Sequence, residues 1–268
     1  MSLHRGTGLI PDDELVVRQR NDDWPLSGLV GAGRRPLSVS YSGALDRIID
    51  QEQTNSCVGC AFSTAMFLRG QLSTPIRRPS PKVIYDLGRL IDENELFDIG
   101  CRPQDAIVMV GKHGIVAEED WPLFTSDKSL LALSPPGKEW IDTPPDFTVL
   151  HQAADAVVTG CFGADGGDIV ATLEQALHVR QIPMFAMYVA DDYQDVRGTE
   201  VYDHPGRVDS TSSHMQAMCG YDEDSFHIVS SWGEGHGNRG IVRIAKSFIA
   251  SSNCFARKVI TQVPTLRR

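Results

Sequence analysis

No unbroken apolar run in this 268-residue chain approaches the roughly 20 residues that a membrane-spanning helix needs, so no membrane role is expected. Positive charge is also scarce. The chain has 25 Lys and Arg against 35 Asp and Glu, a formal charge of −10. Without a basic face it cannot grip a phosphate backbone through counterion release, so a nucleic-acid partner is not expected either. The opening stretch, MSLHRGTGLIPDDELVV, lacks the charged start and apolar segment of a secretory leader, which makes a cytoplasmic location the default expectation. Cysteines are few and scattered, at 57, 60, 101, 161, 219 and 254. That is too sparse for a disulfide framework, and in a reducing compartment they are expected as thiols. The CxxC at Cys57 and Cys60 has no second CxxC and no histidine pair at finger spacing to complete a metal site. Neither a metal nor a cofactor is expected, and nothing in the sequence sets an oligomeric state.

What is present is the balance of an ordinary globular protein, 41% apolar and 22% charged, long enough to bury a core without staples. Residues 1–42 are rich in Gly, Pro, Arg and Asp and read as an extended arm. Val58, Ala61, Phe62 and Ala65 repeat at i, i+3, i+4 and i+7, the pattern of a buried helix face, so a helix is expected to start at or beside Cys57. A second helix is expected to open at Ser80-Pro81 and a third to run from near Pro103 to Gly114. After SPPGKEWIDTPP at 134–145, one helical segment near Ile169 to Val179 gives way to strands over 182–190, 215–221, 226–232 and 240–246. The expected organisation is therefore a helical half over 43–150 and a β-rich half over 151–268. No internal repeat is visible.

The stretch DQEQTNSCVGCAFS at 50–63 raises the question of which sulfur, if either, carries chemistry. A thiol becomes a nucleophile when its pKa falls, and a helix start favours the thiolate through unpaired N–H groups and the macrodipole. Cys57 has that place. Cys60 falls one turn inside, near the apolar face, where a cysteine is usually a small core residue.

Far downstream the chain reads SSHMQAMCGYDEDSFHIVSSWGEGHGNRGIVRIA from Ser212. A Gln-x5-Cys entering a helix, then a distant His with Gly-Tyr six residues on, then Ser-Trp-Gly-x-Gly-x-Gly, resembles the papain-like cysteine peptidases, bacterial members included. SPKVIYDLGRLID at 80–92 and DAIVMVGKHGIVAEEDWPL at 105–123 look like further pieces of that family. The resemblance implies an α+β, two-lobed fold with a helical N-terminal half, an antiparallel sheet or barrel in the C-terminal half, and a cleft between them. It implies a peptidase acting on peptide or protein substrates, with Cys57 as nucleophile, His214 as its proton partner and Gln51, six residues before Cys57, in the oxyanion hole. Ser230 stands where the family has the asparagine that orients the imidazole, and Trp232 is implied to cover that contact. Gly100, Cys101 and Ser213 fall along the implied substrate groove. Papain's own CxxC bridges its first cysteine to a later Gly-Cys. By that alignment Cys57 would pair with Cys101 and leave Cys60 reactive, but the ungapped reading favours Cys57. The family's paired glycines after the cysteine at 101 are replaced by Arg102 and Pro103, and a common tryptophan by His236. Two alternatives use the same residues: a papain-like domain with weakened catalysis that serves for binding, and an acyltransferase.

Overall fold

The computed structural model describes residues 35–90, 98–124, 161–163 (backbone alone) and 168–260. The expected arm over 1–42 lies outside them except for its last eight residues, as does the breaker-rich stretch at 134–145.

Five α-helices are described: α1 (Cys57–Gln71), α2 (Pro81–Leu90), α3 (Pro103–His113), α4 (Ile169–His178) and α5 (Lys246–Ala250). Local chemistry accounts for where they start. Ser80 Oγ accepts from Val83 N at 3.1 Å and Pro81 takes the first helical position, where its missing N–H loses nothing. Pro103 does the same for α3. Asp168 caps α4 by accepting from Ala171 N at 3.0 Å.

Helix α1 is buried nearly all round, Cys57 to Leu68 without a break, rather than along the single face that the i, i+3, i+4, i+7 spacing suggested. The reason is its position: it packs against α2 on one side and against the sheet on the other, and a helix enclosed by protein has no polar face. Its approach to α2 depends on Gly59, because a Cβ there would meet Pro81 O at 2.2 Å.

The strands are β1 (Val39–Ser40), β2 (Cys161–Gly163), β3 (Ile182–Tyr188), β4 (Val201–Tyr202), β5 (Ser213–Tyr221), β6 (Ser225–Val229), β7 (Ile241–Ala245) and β8 (Cys254–Ile260). They form one sheet in the order β2-β8-β3-β5-β6-β7-β4, with β1 also pairing to β5. All pairs are antiparallel except β4 with β7. Among the described residues the sheet is open at β2 and β4, so the barrel implied by the sequence does not close. β5 is buried along its whole length, with α1 against it. Side chains alternate along a strand, which puts His214 and Gln216 on one face. The segment expected to carry β6 through to Trp232 leaves the sheet after Val229, and residues 230–233 run on irregularly, with Trp232 bridged to Asp50 and stacked on His214.

No described helix is long and apolar enough to cross a membrane.

Candidate active site

Cys57 is the first residue of α1 and makes contact with β5 at the residue after His214: its sulfur lies within hydrogen-bond reach of the Met215 backbone N–H. The start of α1 is thereby set against β5 at the residue next to His214, which lies 157 positions after Cys57 in the sequence. His214 is held by the β3–β5 ladder, opposite Met187, and its ring stacks on Trp232 with centroids 4.6 Å apart and planes 26° from parallel. Trp232 is itself sealed in.

Gln51 is fully buried beside them. Its Nε2 donates to Thr54 O at 2.7 Å, its Oε1 accepts from Ser231 Oγ at 2.5 Å, and its backbone N donates to Ser231 O at 2.8 Å. Those bonds tie the loop before the nucleophile to the turn after Ser230. A second tie is the bridge between Asp50 and Trp232, with Gly233 N donating to Ile49 O at 3.2 Å. Gly233 has φ of +74°, and a Cβ there would fall 2.5 Å from Asp50 Oδ2, so this turn requires glycine.

The same loop is clasped from the helical side. Both carboxylate oxygens of Asp98 accept from Asn55 N, at 3.0 and 3.1 Å, Asn55 Nδ2 donates to Asp98 O at 2.5 Å, and Tyr85 Oη donates to Asp98 Oδ1 at 2.7 Å. Burial raises the Asp98 carboxyl above its ordinary pKa, with the Tyr85 and Asn55 bonds opposing that rise. Sequence reading did not single out Asp98 or Tyr85, because no local pattern marks residues whose partners lie 13 to 43 positions away. Asp98→Ala is expected to destabilise the fold by about 2–3 kcal/mol, since it strands the Asn55 N–H and the Tyr85 hydroxyl in the interior; urea unfolding of the variant checks it.

The electrostatics differ from the helix-start expectation. Burial pushes the Cys57 thiol up to about 11, and although the N–H groups of Met215 and Val58 pull the other way, Asp98 adds to the rise. Burial also pushes His214 down to about 3, and the nearby His236 lowers it further. Desolvation outweighs the helix start because both groups are fully enclosed. At neutral pH the resting pair is thus thiol and neutral imidazole, not an ion pair. Cys60 is also fully buried and is raised further still, its sulfur 3.6 Å from Ser56 Oγ.

The remaining expected site residues divide into two groups. Ser230 and Ser213 are buried, and Ser230 Oγ is bonded to His236 Nδ1 at 2.8 Å. Neither nitrogen of His214 has a hydrogen-bond partner among the described residues. The implied serine-to-imidazole contact is not made in the resting structure, where the serine hydroxyl is bonded to His236. Gly100 N donates to Tyr85 Oη at 3.0 Å, and Cys101 is buried where a Cβ on Gly88 would crowd it at 3.0 Å. As they stand, neither offers a surface to a substrate. Cys57, Cys60, Cys101, Cys219 and Cys254 are all free thiols, so the Cys57–Cys101 bridge of the rival alignment is absent. Two cavities, of about 540 and 840 Å³, are lined by other residues. No group of three His, Cys, Asp or Glu side chains suited to a metal occurs among the described residues.

An α+β architecture with a cysteine opening a central helix against a histidine-bearing strand defines the papain-like fold, and this chain has it. The particular similarities are to solved structures. Xylellain, a cysteine protease from Xylella fastidiosa, is 21% identical, with 98% of each chain covered and a TM-score of 0.77. Procathepsin L 3 from Tenebrio molitor is 17% identical over 92% of this chain and 75% of its own, TM-score 0.67. The bromelain protease from Ananas comosus, solved with the inhibitor E64, is 16% identical over 87% of this chain and all of its own, TM-score 0.61. At such identities the likeness speaks for the fold alone. No family model matches the chain, and no curated protein matches it in sequence.

Proposed function

We propose that this chain is a papain-like cysteine peptidase that hydrolyses peptide bonds through Cys57 and His214. The observation that carries the reading is the placement of the Cys57 sulfur at the first turn of α1, against the backbone of the residue next to His214. Neutral His214 has two unpartnered nitrogens and can act as a base.

In the proposed reaction His214 takes the Cys57 proton as the sulfur adds to the substrate carbonyl carbon, and the carbonyl electron pair moves onto oxygen. The Cys57 backbone N–H is one of the first-turn N–H groups that have no partner within the helix, and with the Gln51 amide it holds that oxyanion. The intermediate collapses, the C–N bond breaks, and His214 returns the proton to the departing amine. A thioester remains on Cys57. Water then attacks it, losing a proton to His214, and the acid leaves as the thiol is restored. The buried resting pair must be opened to substrate, and the entry of a polar peptide lessens the desolvation that keeps both groups neutral.

Gln51→Ala is expected to lower kcat by about 10²–10³-fold, with a smaller change in KM, as for other oxyanion donors. Steady-state kinetics on a fluorescent peptide amide reads it. The reading itself is tested by hydrolysis of denatured casein before and after treatment with iodoacetamide. Activity abolished by the reagent is expected. Hydrolysis that persists once Cys57 is fully alkylated would rule the reading out.

A further inference from the structure

We propose, on the basis of the peptidase reading above, that Ser230 and His236 work as a single positioning pair for His214, with His236 fixing the direction in which the Ser230 hydroxyl points.

The proton placement follows from the partners. His236 Nε2 lies 2.8 Å from the carbonyl oxygen of Tyr193. A carbonyl only accepts, so Nε2 carries a hydrogen, and in the uncharged tautomer that we assign to His236 Nδ1 is bare. Nδ1 lies 2.8 Å from Ser230 Oγ. In that tautomer the serine donates to Nδ1, and its oxygen turns only lone pairs toward its other neighbours. Trp232 N takes one of them at 3.3 Å. The other has no donor among the described residues.

The ring that needs an acceptor is close by. His214 and His236 pack against the same indole, with centroids 4.6 and 4.9 Å from that of Trp232. Both rings are buried, and both nitrogens of His214 lack a partner. When His214 takes the Cys57 proton, the buried imidazolium has two N–H groups to satisfy, and leaving one unpaired in the interior is costly. Ser230, bonded to neither His214 nitrogen in the resting structure, becomes that acceptor in this scheme once the charged ring shifts toward it. Alone it would be a poor one, because a hydroxyl rotates and is short. His236, wedged edge-on against Tyr193 with ring centroids 5.0 Å apart and anchored at both nitrogens, removes the rotation. The two departures from the family pattern, serine for asparagine and histidine for tryptophan, thus become one exchange: a carboxamide that needs no help for a hydroxyl that does. His236 touches no reacting atom in this scheme and acts only through Ser230.

The experiment measures kcat and KM on a fluorescent peptide amide, and the rate of Cys57 alkylation by iodoacetamide, for the full chain and its variants, with near-ultraviolet circular dichroism confirming that each is folded. Ser230→Ala and His236→Phe are each expected to lower kcat by about 10–100-fold with KM little changed. Combining them should cost no more than either alone, because they remove the same contact. Pairing Ser230→Asn with His236→Trp should restore most of the loss. Should His236→Phe fail to fold, His236→Gln keeps an oxygen able to accept from Ser230 and is expected to retain most of the wild-type kcat; a loss as large as that of Ser230→Ala would overturn the pair. Losses that multiply in the double variant, or a His236→Phe enzyme with unchanged kcat, would also overturn it while leaving the peptidase reading intact. A wild-type chain without Cys57-dependent hydrolysis would overturn both.

Discussion

Cys57→Ser is expected to lower kcat/KM by on the order of 10⁴–10⁶-fold, the scale seen when a covalent nucleophile is removed from a coupled set, whereas Cys60→Ala should leave turnover unchanged. The asymmetry comes from the first turn of α1. Cys57 receives backbone N–H groups from Met215 and Val58, which pull its pKa back against burial. At Cys60 the Ser56 hydroxyl and Arg78 oppose burial, while Cys57 and Glu118 add to the rise. Cys60→Ala removes a buried sulfur and is expected to cost roughly 1–2 kcal/mol of stability instead. Kinetics and urea unfolding on the two variants give a crossed pattern: activity lost with the fold kept for one, stability reduced with activity kept for the other. The reverse pattern would make Cys60 the nucleophile.

The second large effect is a loss of stability in acid that belongs to His214. Its ordinary value is 6.5, and burial holds it near 3 in the fold. Above 6.5 both folded and unfolded chains carry the ring neutral, and the site adds no pH dependence. As pH falls below 6.5 the unfolded chain binds a proton that the folded chain refuses, so stability drops, and the drop stops only once the folded ring also protonates near 3. By pH 5 the penalty from this residue reaches about 2 kcal/mol. Urea midpoints of the wild type and His214→Gln, each at pH 7 and pH 5, isolate it. The wild type should lose more stability than the variant between the two values. Other titrating groups are present in both and cancel. Equal losses would mean that the ring is not desolvated in solution.

Elements with local punctuation were legible in the sequence. Ser80-Pro81, Pro103 and the stretch after Asp168 each announced a helix start, and α2, α3 and α4 begin there. β3 and β5 stood out because both are buried along nearly their whole length and read as apolar runs. β8 did not, since its CFARKVI carries Arg257 and Lys258, which look like surface residues. Both are buried all the same, with Arg257 donating to Ile249 O at 2.8 Å. The sheet's open path was also hidden, because closure depends on edges that a linear pattern does not specify. In the site, the offset between Gln51 and Cys57 and the downstream His214 were readable as spacing. The enclosure was not: the helix start argued for a low thiol pKa, and only the three-dimensional burial reverses the sign. Asp98 and Tyr193 carry no local mark at all, and His236 was visible as a departure without its partner Ser230.

The central claim, that Cys57 is a nucleophile served by His214, is tested most directly by incubating the folded protein with E-64 at neutral pH and mapping the adduct by peptide mass spectrometry. The account predicts a single adduct on Cys57, formed in the wild type and lost in His214→Gln. An adduct on Cys60 or Cys101 alone, or labelling of Cys57 only after unfolding, would contradict it.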